Sequence, residues 1–199
     1  MPRRRVNGPF WHQGPARRSL TSFADPAVTD GRYHRRGGVG VWYASDQEQA
    51  AWAELMRHFL DDGVDPFEIR RRVGRVEVRD LLVLDLTDAA VLRAVQLTEA
   101  ELVGDDYTDT QELAHAVAGA GFGGILAPSA ALPRRRTLVV FATAATAVIE
   151  QYSVVRQPPP RLADLLRAIR PHQDMPRAVR DLLASLASLG SDMIRQRRR

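Results

Sequence analysis

The sequence predicts an α+β fold. Three observations carry this. Apolar runs of strand length recur along the first 155 residues, as in "GVGVWYA", "LLVLDL" and "RTLVVFA". An amphipathic helix with period 3.6 falls among them, in "QAAWAELMRHFL". Strands and helices do not alternate as regular βαβ units, which favours a mixed sheet over a doubly wound one.

Taken in order, the first thirty residues are rich in Pro, Gly and Arg and read as an irregular arm around the domain. "GVGVWYA" is a buried strand. "SDQE" has the spacing of a capping box, with Ser45 as cap and Glu48 reaching back. The helix that follows runs to about Leu60, with Trp52, Leu55, Met56 and Phe59 on its core face and Glu54 almost opposite, near Gln47, Ala50 and Arg57. "RVEVR" alternates, placing Val76 and Val78 inward on a half-exposed strand, and "LLVLDL" reads as a second, more buried one. "TDAAVLRAV" and "TEAELVG" are short helices, each opened by a Thr. "DTQELAHAVAGAG" is a helix with Leu113, Ala114 and Val117 inward, stopped by Gly. "GILAPSA", "RTLVVFA" and "AVIEQYSVV" are the remaining strands. The polyproline stretch "RQPPPR" is the clearest compositional break. It divides the chain into a domain of residues 1–157 and a helical extension of residues 158–199. In that extension Leu182, Leu183, Leu186 and Leu189 form a stripe, read first as core packing and second as an oligomer or partner contact. A homo-oligomer is expected.

Composition excludes several chemistries. The chain has 199 residues, 45% hydrophobic and 26% charged, an ordinary globular mix. It has no Cys, which removes disulfides, thiol nucleophiles and Cys-based metal sites. His12, His34, His58, His115 and His172 show no metal-ligand spacing, so no metal is expected. No window approaches the ~20 apolar residues of a membrane span, and "MPRRRVNGPFWHQGP" lacks the apolar run of a signal peptide. A cytoplasmic location without membrane contact is the expectation. Net charge is +4, all of the basic side chains being Arg, with clusters at both ends. Such tails read as solvated, and no DNA-binding motif accompanies them, so direct nucleic-acid binding is not expected.

"GAGFGG" at Gly119–Gly124 satisfies G-x-G-x-x-G but follows a helix and enters a strand, the reverse of a dinucleotide turn. Its glycines read as a helix stop and a tight turn. By pattern alone Ser129 in "APSA" is a turn serine, Glu54 a solvated helix carboxylate, Tyr33 and Tyr43 half-buried sheet aromatics, and Arg32, Arg35 and Arg36 a solvated basic turn.

The stretches "GRYHRRGGVGVWYAS…AAWAEL" and "AGFGGILAPSA…RTLVVF", in that order and spacing, resemble the RES domain over roughly Arg5 to Val155. That family includes toxins of bacterial Xre–RES toxin–antitoxin pairs. The resemblance makes Arg32 the family Arg, Glu54 the family Glu and Ser129 the family Ser, with Tyr33 and Tyr43 at its aromatic positions. One departure is Tyr33-His34, where many members carry an aromatic residue followed by Asn. The resemblance implies an ADP-ribosyltransferase-like core with flanking helices that consumes NAD. Cleavage of the nicotinamide–ribose bond would proceed as an NAD phosphorylase or an NAD glycohydrolase. In this reading Glu54 binds ribose hydroxyls and stabilises positive charge, and Arg32 clamps phosphate. Tyr33 and Tyr43 enclose nicotinamide, and Ser129 hydrogen-bonds phosphate or ribose. NAD is then substrate, inorganic phosphate a co-substrate, no prosthetic group is needed, and an Xre-type antitoxin is the expected partner. The alternatives are a protein ADP-ribosyltransferase, or a non-enzymatic interaction module using the C-terminal helices. The geometric expectation is that Arg32, Glu54 and Ser129 meet around one cavity.

Overall fold

The computed structural model describes residues 3–25, 27–28, 30–61, 69–157, 165 and 168–170. The elements run β1 (Arg4–Pro15), β2 (Val41–Ser45), α1 (Glu48–Asp61), β3 (Arg71–Asp85), α2 (Ala89–Ala94), α3 (Glu99–Val103), α4 (Thr108–Gly119), β4 (Gly124–Pro128), β5 (Arg136–Phe141) and β6 (Val148–Arg156), with a 3-10 stretch at Ala142–Ala147. The fold is α+β, as the sequence predicts. The C-terminal stripe of Leu182, Leu183, Leu186 and Leu189 lies outside the described residues.

Strand order is β1-β2-β5-β4-β3-β6, and β1 also pairs with β3. The ladder therefore runs from β1 through β2, β5, β4 and β3 back to β1, with β6 on the other edge of β3. Only β3–β4 is parallel among the named pairings. Alternation along the strands sorts side chains to two faces. One face packs Val6, Phe10, Trp42, Ala44, Val76, Val78, Leu126, Leu138 and Val140 together. The opposite face sets Val41, Ile125, Ala127, Val139 and Phe141 against α2, α3 and α4 through Val91, Leu102, Ala114 and Val117. Tyr43 joins that second cluster, and Thr137 sits on the same strand face by the register Tyr43↔Val139 and Ser45↔Thr137.

Four elements depart from expectation, each for a local reason. The N-terminal arm is a twelve-residue strand rather than irregular, antiparallel to β3 from Arg4↔Val83 to Pro15↔Arg71. Its Pro and Gly residues mask the alternation; the register shifts between Val6 and Gly8, where Gly8 takes φ +115°. "RVEVR" and "LLVLDL" form one continuous β3. The apparent break between them is Asp80, at φ 50°, whose N–H donates to Asn7 Oδ1 at 2.8 Å beside that same irregularity. Glu48 does not close a capping box with Ser45: its carboxylate accepts from Trp52 Nε1 at 3.2 Å and pairs with Arg156, while Ser45 ends β2. The cap of α2 is Asp88, not Thr87, whereas Thr98 caps α3 in a full capping box with Glu101.

Helix α1 is more enclosed than its periodicity suggests. Trp52, Leu55 and Met56 are buried as expected, but so are Ala50, Ala51, Ala53 and Arg57. A helix covered on nearly every side cannot be divided into core and solvent faces by hydrophobicity alone.

The glycines of "GAGFGG" are a helix stop and a strand entry. Gly121 takes φ +81° just past α4. At Gly124 a Cβ would lie 2.1 Å from the Val139 carbonyl oxygen across the β4–β5 pair. At Gly119 a Cβ would meet nothing within 4 Å. Gly124→Ala should therefore destabilise the fold by roughly 1–3 kcal/mol, the usual cost of overpacking. Gly119→Ala should be neutral or stabilise by up to ~1 kcal/mol through helix propensity. Urea unfolding of the two variants checks both signs.

β1 meets β2 at Trp11↔Ser45, and His12 extends this contact. Its Nδ1–H donates to the Tyr43 carbonyl, which can only accept, and its ring lies 4.7 Å from that of Trp42. Burial lowers the His12 pKa from 6.5 to about 4, against the pull of the Tyr43 carbonyl. The folded state then binds this proton less readily than the unfolded chain. Stability carried by neutral His12 is present above pH 6.5 and declines as pH falls from 6.5 towards 4. In an NMR titration the His12 ring resonances should stay at their neutral positions down to about pH 5. A midpoint near 6.5 would show that the ring is not held in this way.

Candidate active site

Glu54, Ser129 and Thr137 come from α1, the exit of β4 and the start of β5. Ser129 Oγ–H donates to Glu54 Oε1 at 2.7 Å, Thr137 Oγ1–H at 3.2 Å and the Ala131 N–H at 3.4 Å. Ser129 is itself fixed: its Oγ accepts from the Leu132 N–H at 3.0 Å, and its own N–H donates to the Arg135 carbonyl at 2.8 Å. Ser129 is 1% exposed, so its hydroxyl is held for Glu54 rather than offered to solvent. The donors converge on one carboxylate oxygen.

The turn before β2 supplies the aromatic wall. Gly31 and His34 form an isolated antiparallel bridge. A Cβ at Gly31 would come within 2.4 Å of the His34 ring, so the tight turn requires glycine there. Tyr43 Oη accepts from the Tyr33 N–H at 3.2 Å and lies 3.1 Å from His34 Nδ1. Burial lowers the pKa of His34, and Asp30 opposes this. Burial also raises both tyrosine pKa values well above the ordinary 10; Arg32 opposes this and Glu54 adds to it. Both phenols remain neutral. Tyr33 Oη is buried with no hydrogen-bond partner among the described residues.

Arg32 is set from the other side. Its Nη1 donates to the carbonyls of Leu102, at 3.0 Å, and Gly104, and its Cζ lies 4.5 Å from the centre of the Tyr107 ring. Thr110 Oγ1 donates to the Arg32 carbonyl at 2.6 Å. Arg35 and Arg36 are exposed; Arg35 pairs with Glu112 at 3.3 Å, and the Arg36 N–H donates to Asp30 at 3.1 Å.

These groups line one cavity of about 530 Å³, which takes in Arg32, Tyr33, Tyr43, Glu54 and Thr137. Ser129 reaches it through Glu54, with its neighbours Pro128 and Ala130 in the wall. Arg57, Tyr107, Trp11, His12 and Arg71 also line it. Arg32 and Glu54 thus line one cavity, while Ser129 is not in its wall and stands one hydrogen bond behind it. Sequence reading missed Thr137, Arg57 and Tyr107. Alternation in "RTLVVF" puts Thr137 on the Val139 face, a signal for the first; Arg57 and Tyr107 carry no comparable one. Among the described residues no group of three or more His, Cys, Asp or Glu side chains could hold a metal.

The arrangement joins a carboxylate held by hydroxyl donors, a guanidinium over an aromatic ring and two neutral phenols in one pocket. The RES domain family model matches residues 2–165 of this chain. A probable NAD(+) phosphorylase of Mycobacterium tuberculosis, Rv3189, is 58% identical over 198 residues, covering 100% of this chain and 95% of that protein. The NAD(+) phosphorylase MbcT of Mycobacterium bovis is 32% identical over 91 residues, covering 44% of this chain and 49% of that one. Among solved structures, the Mycobacterium tuberculosis MbcT-MbcA toxin-antitoxin complex contains a chain that superposes with a TM-score of 0.69 at 25% identity, covering 77% of this chain and 86% of that one. On the strength of a family match spanning most of its length and of this full-length relative, the chain belongs to the RES domain family.

Proposed function

We propose that the chain is an NAD phosphorylase, converting NAD and inorganic phosphate to nicotinamide and ADP-ribose 1″-phosphate. The observation that carries this is the hydrogen bond from Ser129 to Glu54 at the wall of the cavity that also holds Arg32, Tyr33 and Tyr43. The names of the relatives point the same way.

The chemistry asks little of the protein beyond placement and charge. The ribose C1″–N bond breaks with its electron pair passing to the nicotinamide nitrogen, so neutral nicotinamide leaves. Positive charge spreads over C1″ and the ring oxygen, as in glycoside cleavage. A phosphate oxygen then forms the new bond to C1″. In this scheme Glu54 offers one oxygen to the ribose hydroxyls and the developing cation, while Ser129, Thr137 and Ala131 N–H hold the other in place. Arg32 takes a phosphate group of NAD. Tyr33 and Tyr43, being neutral, enclose the nicotinamide without a competing negative charge. Ser129 acts by orienting Glu54, not as a nucleophile.

The proposal extends to an antitoxin partner, as in the solved neighbour, to a homo-oligomeric state, to the cytoplasm, and to residues 1–157 as the catalytic unit. Among the described residues no helix is long and apolar enough to cross a membrane.

Incubation of the purified protein with NAD should yield ADP-ribose 1″-phosphate when phosphate is supplied. Free ADP-ribose at the same rate with or without phosphate would instead make the enzyme a glycohydrolase. No NAD loss from folded protein freed of any antitoxin would defeat the enzymatic reading. Glu54→Gln should lower kcat by about 10²-fold or more, the scale for losing a charge-stabilising group. Ser129→Ala should cost about 10–100-fold, the equivalent of one charged hydrogen bond at ~1.5–3 kcal/mol. Steady-state kinetics on variants with unchanged circular dichroism checks both.

A further inference from the structure

Arg57 lies one helical turn beyond Glu54 on α1, so the two share a face. It is 2% exposed and pairs with Asp105 through Nη2 to Oδ1 at 2.6 Å. Its Nε is buried with no hydrogen-bond partner among the described residues. Burial lowers its pKa and Asp105 opposes this; Arg32 and Glu54 also act on its charge. A side chain so enclosed offers an anionic ligand almost no surface. A buried ion pair is also an indirect way to stabilise a fold, since an apolar pair of similar volume often does as well.

Asp105 belongs to the link between α3 and α4, and that link holds Arg32. The carbonyls of Leu102 and Gly104 accept from Arg32, Tyr107 lies beneath its guanidinium, and Thr110 Oγ1 donates to the carbonyls of both Arg32 and Tyr107. Arg32 is thus held from both sides of Asp105, by the link at Gly104 and Tyr107 and by the adjoining ends of α3 and α4, while Asp105 ties the link to the helix that carries Glu54.

We infer that Arg57 is a positioning residue: through Asp105 it fixes the link of residues 104–107, and with it Arg32, at a set place relative to Glu54. The inference rests on the proposed reading of Arg32 and Glu54 as the phosphate-binding and ribose-binding groups. In that reading a link released from α1 leaves Glu54 in place and lets Arg32 drift. The loss then appears first in NAD binding.

The test removes both charges at once, in the full chain, with Arg57→Met combined with Asp105→Leu. The double variant should keep its thermal midpoint within a few degrees, while KM for NAD rises about 10-fold or more with kcat changed less. Adding Arg32→Ala should then cost much less than it does in the wild type, because contacts coupled through one element are not additive. Arg57→Lys, which keeps the charge but not the planar fork, should fall between wild type and double variant and guards against a double variant that does not fold. Unchanged KM in the double variant, or an equal cost of Arg32→Ala in both backgrounds, would overturn the inference. Its geometry is checked apart from turnover by a crystal structure of the double or the Lys variant. Arg32 Cζ still 4.5 Å over Tyr107, in an unmoved link, would contradict it even if NAD proved not to be the substrate.

Discussion

The Glu54 carboxylate gathers donors from parts of the chain that are far apart in sequence. Ser129 and Thr137 are 75 and 83 residues away, yet both hydroxyls reach the same oxygen. A carboxylate taken partly out of water needs such partners, and charged hydrogen bonds are the strong ones. Much of the fold serves this convergence. The register Ala127↔Thr137 between β4 and β5 brings the Ser129 turn beside Thr137, and Ser45↔Thr137 between β2 and β5 places the entry to α1 next to both. Gly124 allows β4 and β5 to approach closely enough for that register.

A second set of constraints assembles the opposite wall. Arg32 leaves a glycine-dependent turn and is received by backbone carbonyls and an aromatic face, neither of which cancels its charge. Tyr33, buried, and Tyr43, half-buried, share the cavity with it as neutral phenols. The cavity therefore sets the Glu54 carboxylate and the Arg32 guanidinium on opposite walls, with aromatic rings between them and Asp30, Arg57 and Arg71 also in its lining. That pattern suits a substrate with phosphates at one end and, at the other, a base that is cationic while bound to ribose and leaves neutral.

The fold class, α4, β4, β5 and β6 are legible because their hydrophobic patterns are local, and Gly or Pro marks the end of α4 and both ends of β4. β1 was not, because Gly8, Pro9 and Pro15 hide a strand whose pairing partner lies about seventy residues away. Asp80 made β3 look like two strands, since a positive φ inside a strand has the same signature as a turn. The site shows the same division. Periodicity placed Glu54 away from the Trp52 and Met56 face, which is correct, but could not tell a cavity wall from open solvent. Arg57, beside Glu54 by the same periodicity, is buried, which its charge alone does not signal. Only the family resemblance joined Glu54 to Arg32 and Ser129, because their proximity is a property of strand register and not of any one segment.

In the proposed reaction the Glu54 carboxylate and the Arg32 guanidinium grip the two parts of one NAD molecule. A crystal structure of the Glu54→Gln variant with NAD tests this most directly. The nicotinamide ribose hydroxyls are expected within hydrogen-bonding distance of residue 54, with the pyrophosphate on Arg32 and the nicotinamide between Tyr33 and Tyr43. NAD bound elsewhere on the molecule, or bound in this cavity with its ribose away from residue 54, would contradict it.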